Sequence, residues 1–431
     1  MASLSEVKLK KTNIDTGRYK ELSPKIWKEI SQISPLLKDA NIIHINATPQ
    51  GGGVAELLKS EIIFERFFGL KSRWFVIDGA PSNFFDVTKK IHNLLQGKGG
   101  MLTRKEQDVY LKVNEELDKS FQKIIQKYKS ATVVIHDPQP LPLINFIDGK
   151  CFPVLRLHID LSTPNPHVID FLKPLIKKYP LVVISHPAYY PTLSWINNKK
   201  INIIPPAIDP LTEKNVPLNI KLAENIITKF NIDCSRPILT QISRFDPWKD
   251  PLGVIESYRL AKNKIPELQL ILAGFFQAKD DPEAIAVFKK VKKAKNNDKD
   301  IHLFENLRVL GKINNDTFIK ALLTASSLIM QKSLREGFGL TVTEAMWKKK
   351  TVIAGITNGT LLQIKNKKNG ILISSAQEAS RAIIRLLKNK KMSAHIGRAA
   401  HLSVKNNFLL PRFIRDNLMI YIKSRQSLSV K

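Results

Sequence analysis

The segment from Leu334 to Lys350, LREGFGLTVTEAMWKKK, sets Glu336 and Glu344 eight residues apart with a glycine-flanked helix start between them. With Gly337, Phe338 and Gly339 after Glu336, backbone N–H groups can approach a ligand with little side chain in the way. A helix N-terminus carries about half a positive charge and several unpaired N–H donors, which suits an anion. Glu344 falls roughly 12 Å further along, at about 1.5 Å per residue. An elongated ligand with a sugar at each end and phosphates between them, a nucleotide-sugar, matches this spacing. As bare spacing the pair says little, since the dipole alone favours Glu at a helix start. The preceding strand and the glycines give it weight.

Other chemistry-bearing residues fall where strands end. After the first strand comes Pro49-Gln50-Gly51-Gly52-Gly53-Val54-Ala55-Glu56, a strand, glycine loop and helix that can bring backbone donors to a phosphate or sugar oxygen. It is neither the GxGxxG dinucleotide fingerprint nor a P-loop. Three successive strands end in histidine: His136-Asp137, His158 and His186. Their shared location points to hydrogen bonding in a cleft. The spacing carries no metal geometry. The first strand of the second half ends in Ser243-Arg244-Phe245-Asp246-Pro247-Trp248-Lys249-Asp250. There a guanidinium can grip two phosphate oxygens and an ammonium adds a compact charge.

The elements that position these groups alternate short apolar runs with helical patterns, the signature of parallel sheets covered by helices. The runs predict strands at Asn41–Thr48, Arg73–Ile77, Thr132–His136, Val154–Ile159, Leu181–Ser185 and Asn202–Ile204. In the second half they predict Pro237–Ser243, Leu268–Ala273, Leu307–Leu310, Ser327–Gln331, Thr351–Ala354 and Gly370–Ile373. The proline-rich stretch PPAIDPLTEKNVP, 205–217, reads as the linker. Two Rossmann-like doubly wound α/β domains facing across a cleft follow: an N-terminal acceptor domain over 1–210, a C-terminal donor domain over 218–405, and a helix over 406–431 packing back on the first. Ligands in such sheets bind outside the carboxyl ends of the strands.

The chain has 431 residues, 43% of them hydrophobic, as expected of two globular domains. No apolar run is long enough to span a bilayer, and the N-terminus lacks the apolar core of a secretory signal. The two cysteines, Cys151 and Cys234, lie far apart, which fits a reduced cytoplasm and no zinc site. The net charge of +30 invites a nucleic-acid reading. The lysines are spread along the whole chain without interleaved aromatics, so the expectation is a solvated basic surface that attracts anionic substrates.

RFDPWKDP and EGFGLTVTEAMW together resemble the retaining family-4 glycosyltransferases of the two-Rossmann-domain GT-B architecture. GGGVAELL (51–58), FFDVTKKIHNLLQG (84–97), VIHDPQPLPLI (134–144), LRLHIDLS (155–162), PPAIDPLTEKN (205–215) and SRFDPWKDPLGVIESY (243–258) are similar to the narrower trehalose glycosyltransferring synthase group. One stretch departs from it: GITNGTLLQIKNKKNG stands where relatives carry a GGI-type glycine pair. The resemblance implies transfer of glucose from a nucleoside-diphosphate glucose to C1 of free glucose, giving α,α-trehalose. The alternatives are a trehalose phosphorylase, with phosphate in place of the nucleotide, and another family-4 transferase with a different acceptor. It implies that Arg244 and Lys249 hold the diphosphate, with Ser243 beside them, and that Glu336 contacts the donor glucose and Glu344 the ribose. The N–H groups of Gly337, Phe338, Gly339, Leu340 and Thr341 complete the phosphate site, and His158 sits beside the transferred glucose. Gly52 and Gly53, with His136, Asp137, Thr88, His92 and Asn93, shape the acceptor side. No cofactor and no obligatory metal are expected. The expected partners are small molecules (nucleotide-sugar, glucose or trehalose) and a second copy of the chain in a homodimer, with no specific nucleic acid.

Overall fold

The computed structural model describes residues 1–10, 14–50, 53–274 and 282–429. The chain divides into two compact units, Met1–Pro206 with Leu410–Lys431, and Ala207–Leu409.

The first unit is built on seven strands: β1 Ser3–Glu6, β2 Asn41–Asn46, β3 Lys71–Asp78, β4 Thr132–His136, β5 Phe152–Leu157, β6 Leu181–Ile184 and β7 Ile201–Ile203. They lie in the order β1-β3-β2-β4-β5-β6-β7. All neighbours are parallel except β1, which pairs antiparallel with β3 along the edge. β2, β4, β5 and β6 are almost wholly buried. That is why they read as continuous apolar runs, with helices covering both faces. The C-terminal helix, Leu410–Ser429, belongs to this unit. Its Asn417 accepts a hydrogen bond from Arg156 of β5 at 2.7 Å and donates to Glu61 at 2.6 Å.

The second unit has six strands: β8 Ile238–Ile242, β9 Gln269–Ala273, β10 Ile301–Phe304, β11 Leu328–Gln331, β12 Val352–Gly355 and β13 Ile371–Ile373. They form an all-parallel sheet in the order β10-β9-β8-β11-β12-β13. Both units are thus parallel-sheet α/β, as a GT-B chain requires.

One strand expectation needs correcting, and one strand, β1, was not expected. Leu307–Leu310 is a short 3-10 helix, capped by Asn306, whose side chain accepts the Arg308 N–H. The strand is the preceding IHLF, β10, whose middle residues are only half-buried because it lies at the sheet edge. β1 shows no apolar run, since an edge strand presents one face to solvent. Among the described residues no helix is long and apolar enough to cross a membrane.

Candidate active site

In the second unit the strand order reverses between β8 and β11, and the two loops that leave those strands carry the expected donor residues. After β8, Asp246 accepts the Trp248 N–H at 2.9 Å and starts a one-turn 3-10 helix, Pro247–Lys249. Asp250 follows at φ +46°. Its carboxylate accepts the Gly253 N–H at 3.0 Å, caps helix Pro251–Lys262 and takes the ammonium of Lys332. A Cβ on Gly253 would lie 2.2 Å from Asp250 Oδ2 and 2.6 Å from Lys332 Nζ, so any larger residue would displace the ion pair that closes this cap. The two loops are stitched together. Leu334 N–H donates to the Trp248 carbonyl at 2.8 Å, and Gln241 on β8 donates to the Lys249 carbonyl at 3.1 Å and to Ser243 Oγ at 3.2 Å.

This scaffold brings Lys249 onto Glu336: the ammonium contacts Oε2, and Ser333 Oγ donates to the same oxygen at 3.3 Å. The side chains are 20% and 12% exposed, so the pair is screened less than a surface ion pair. Arg244 stands more open at 57% exposure, with Asp246 3.5 Å away. Beyond Glu336, Gly337 and Phe338 are buried and Gly339 adopts φ +86° as N-cap of helix Leu340–Trp347. No side chain caps that helix start, so its N–H groups, with Leu340 and Thr341 half-buried, suit an anion.

A third loop braces the site. Gly359 N–H donates to the Glu336 carbonyl at 3.0 Å, and Gln363 donates to the Phe338 carbonyl at 2.5 Å while accepting from Thr343 Oγ1 at 2.7 Å. A Cβ on Gly359 would lie 2.6 Å from the Phe338 nitrogen and 2.8 Å from the Glu336 carbonyl. Gly359 therefore provides the close approach, four residues beyond Gly355, where the sequence departs from a GGI-type pair. Glu344 is 3% exposed and its Oε1 lies 2.6 Å from Lys214 Nζ, an ion pair the sequence reading missed. A ligand hydroxyl at Glu344 has to share that carboxylate with Lys214. Lys348, one turn on, donates to the Val216 carbonyl at 3.1 Å, and burial lowers its pKa to about 8.

In the first unit the order reverses between β2 and β4. The register there decides which histidines meet. His44 on β2 lies opposite Val134, and His136 two residues beyond it lies opposite Arg156, itself two residues before His158. A step of two keeps a side chain on the same face. The row is therefore His44–His136–His158, with Nδ1 of His44 3.1 Å from Nε2 of His136, and Nδ1 of His136 3.0 Å from Nε2 of His158. His186 lies outside this row: its Nδ1 accepts the Ala188 N–H at 2.9 Å and caps the turn Pro187–Tyr189. His44, inside the strand rather than at its end, takes the third place. His136 was expected to meet the acceptor. It is 1% exposed with both ring nitrogens engaged by histidines, so it has no polar atom to offer a sugar.

Asp137 follows β4 at φ +62° and accepts the His158 backbone N–H at 2.7 Å. Burial pushes its carboxyl up to about 7, against the opposing pull of that N–H and of Arg156. Thr88 is buried on helix Ser82–Leu95 and donates to the Phe85 carbonyl at 3.1 Å. On the same helix the carbonyl of buried Asn93 accepts from Lys98 N–H at 3.0 Å, and His92 is half-buried. Among the described residues no hydrogen bond joins Thr88 or Asn93 to the histidine row. Gly53 begins helix Gly53–Phe67, and Gly52 lies outside the described residues.

The family model for the N-terminal domain of trehalose synthase matches residues 44–191, and the model for glycosyl transferases group 1 matches residues 223–402. A trehalose synthase from Pyrococcus horikoshii is 42% identical over 91% of this chain and 92% of its own length. One from Rubrobacter xylanophilus is 39% identical over 92% and 94%. Among solved structures, an α,α-trehalose-phosphate synthase (UDP-forming) from Burkholderia vietnamiensis superposes with a TM-score of 0.71 at 13% identity, covering 91% of this chain and 99% of that one, a likeness of fold.

Proposed function

The chain belongs to the trehalose synthase family of glycosyltransferases, and from that premise we propose that it transfers glucose from a nucleoside-diphosphate glucose to free glucose, with retention, to give α,α-trehalose. The observation that carries this reading is the pairing of Lys249 with Glu336 immediately before an uncapped helix start, at the point where the sheet of the second unit reverses its order. A cation, a carboxylate and a set of backbone donors thus meet where the loops after two neighbouring strands come together. They suit the diphosphate and hydroxyl groups of one ligand.

The difficult step is departure of the nucleoside diphosphate from the anomeric carbon. The transition state is oxocarbenium-like, and negative charge grows on the leaving oxygen. Fixed donors aimed at that oxygen stabilise the transition state more than the ground state. Arg244, Lys249 and the N–H groups of Gly339, Leu340 and Thr341 are assigned that task. Glu336 is assigned the donor glucose hydroxyls, Glu344 the ribose, and His158 with Asp137 the sugar contacts of the first unit. These cations and amides supply the positive charge that a metal ion supplies in other transferases, so the reaction is proposed to run without one. A front-face route, in which the departing phosphate accepts the acceptor's proton, agrees with Glu336 being held by Lys249 and Ser333 rather than poised to attack.

The test is release of nucleoside diphosphate from ADP-, UDP- or GDP-glucose that depends on added glucose. Release at the same rate without glucose, or none with any donor, would overturn the proposal.

A further inference from the structure

Behind His158 lies a closed set of charged groups that the transfer reaction as described does not use. Glu65, on helix Gly53–Phe67, is fully buried. Its Oε2 lies 3.1 Å from Nε2 of His44, and its Oε1 accepts from Tyr421 of the C-terminal helix at 2.7 Å. Glu61, one turn earlier, is 1% exposed and 4.0 Å from the guanidinium of Arg156, which is itself buried and lies over the ring of Phe413. Two carboxylates therefore face one guanidinium, and the set is one positive charge short of neutrality. Buried charge without compensation is expensive, so one further proton is called for, on His44 or on Glu61.

The histidine row has a direction. Each contact runs from Nδ1 of one ring to Nε2 of the next, and the last ring, His158, is half-buried with Nδ1 unpartnered among the described residues. Each neutral imidazole donates from one nitrogen and accepts at the other. The state of His44 therefore fixes every tautomer in the row. With His44 neutral and its Nε2–H on Glu65, His136 and His158 are both Nε2–H, and Nδ1 of His158 is an acceptor. With His44 charged, its Nδ1–H donates to His136. Both other rings are then Nδ1–H, and His158 presents a donor outward.

We propose that Glu65, His44 and His136 form a proton relay that sets whether the outward nitrogen of His158 donates or accepts. The inference rests on the reading of His158 as a sugar contact and adds Glu65, His44 and His136 as positioning residues. The step balances. A proton leaves a hydronium ion or a ligand hydroxyl and bonds to Nδ1 of His158, whose Nε2 proton passes to Nδ1 of His136. The Nε2 proton of His136 passes to Nδ1 of His44. Three N–H bonds form, two N–H bonds and one O–H bond break, and the positive charge settles on His44 beside the Glu65 carboxylate.

The electrostatics favour that resting place. Burial opposes a charge on His44, but Glu65 and Glu61 outweigh it and hold its pKa above the usual imidazole value. His136 and His158 are held well below it, by burial first and then by neighbouring positive groups: His158, His44 and Arg156 for the former, Arg156 for the latter. The competing site is Glu61, which burial pushes up to about 7 against the pull of His44. Asp137 meets the row through the backbone N–H of His158 and lies in the field of Arg156, and Tyr421 donates to Glu65 and also favours the charged form of Glu61.

The experiment is a long-range 1H–15N correlation spectrum of the deuterated full chain with 15N-labelled histidine, recorded from pH 5.5 to 8.5. The relay predicts that His136 and His158 remain neutral throughout and change together from Nε2–H to Nδ1–H on acidification, while His44 alone becomes an imidazolium. In Glu65→Gln, whose oxygen stays on the Tyr421 hydroxyl, the amide N–H faces Nε2 of His44 and fixes neutral His44 as Nδ1–H, so His136 and His158 hold Nδ1–H across the range and any matching break in the pH profile of kcat/KM is lost. Independent titration of the rings or fixed tautomers across the range in the unmodified chain, or the same tautomer change persisting in Glu65→Gln, would overturn the relay. The unmodified chain alone decides the first two outcomes if the variant fails to fold. Coupled tautomers without glucosyl transfer would overturn the reading of the reaction and leave the relay standing. Transfer with fixed tautomers would do the reverse.

Discussion

The ammonium of Lys249 rests on the carboxylate of Glu336 across eighty-seven positions of sequence, and Ser333 donates to the same oxygen. Lys249 is thereby largely neutralised by a neighbour, so attraction for a diphosphate falls more heavily on Arg244 and the helix start. Glu336→Gln should lower kcat by about 10²–10³, the range seen when one aimed polar group is removed from an active site. The same substitution frees the charge of Lys249, so affinity for nucleoside diphosphate should stay level or tighten. Calorimetry showing weakened binding of the diphosphate, with transfer intact, would refute the roles given to both residues.

Gly359 tests the brace rather than the charge. Its added Cβ meets backbone on two sides, the Phe338 nitrogen and the Glu336 carbonyl, and backbone cannot step aside as a flexible side chain can. Gly359→Ala should lose about 1–3 kcal/mol of stability from overpacking. It should also lose about 10² in kcat/KM, because a shift of about 1 Å in the positioning turn suffices for that. Thermal melting and steady-state rates indistinguishable from the parent would show that the third loop plays no part in the site.

Asp137 makes a prediction about pH. Its folded carboxyl keeps a proton up to about 7, against the ordinary value of 3.8. Between those values the folded state binds more protons than the unfolded one, so stability from this group falls as pH rises through that window. Asn can accept the His158 N–H equally well and carries no buried charge. Asp137→Asn should therefore melt close to the parent at pH 4.5 and above it at pH 8. A melting temperature lowered equally at both pH values would show that the carboxylate is needed in its ionised form.

Much of this was legible in the residues. Eleven of the predicted strands lie where apolar runs said they would, because buried parallel strands show as unbroken hydrophobic stretches. The loops holding Arg244, Lys249 and Glu336 were readable from glycine and proline at strand ends. The pairing of Lys249 with Glu336 was not, since it depends on β8 and β11 being neighbours. His44 was hidden for a related reason. It sits within NIIHIN, where nothing local distinguishes a core histidine from a functional one, and only the register with β4 aligns it with His136. Lys214 on Glu344 and Gly359 against Phe338 are likewise contacts between segments far apart in sequence.

A fourth expectation concerns metal. With Arg244, Lys249 and backbone amides assigned to the leaving phosphate, full transfer should persist in protein stripped of divalent ions and assayed with excess chelator. Loss of more than about tenfold in rate, restored by magnesium or manganese, would show that a metal carries charge these residues do not.

The most direct measurement is of the product. Glucose labelled with 13C at C1 is incubated with the protein and unlabelled ADP-, UDP- or GDP-glucose, and the anomeric carbons are followed by NMR. Transfer from a nucleotide-sugar predicts a non-reducing α,α-linked disaccharide, labelled in one ring only, formed with at least one donor and in step with release of its nucleoside diphosphate. Trehalose appearing only from maltose without any nucleotide, or trehalose consumed only with inorganic phosphate, would contradict it.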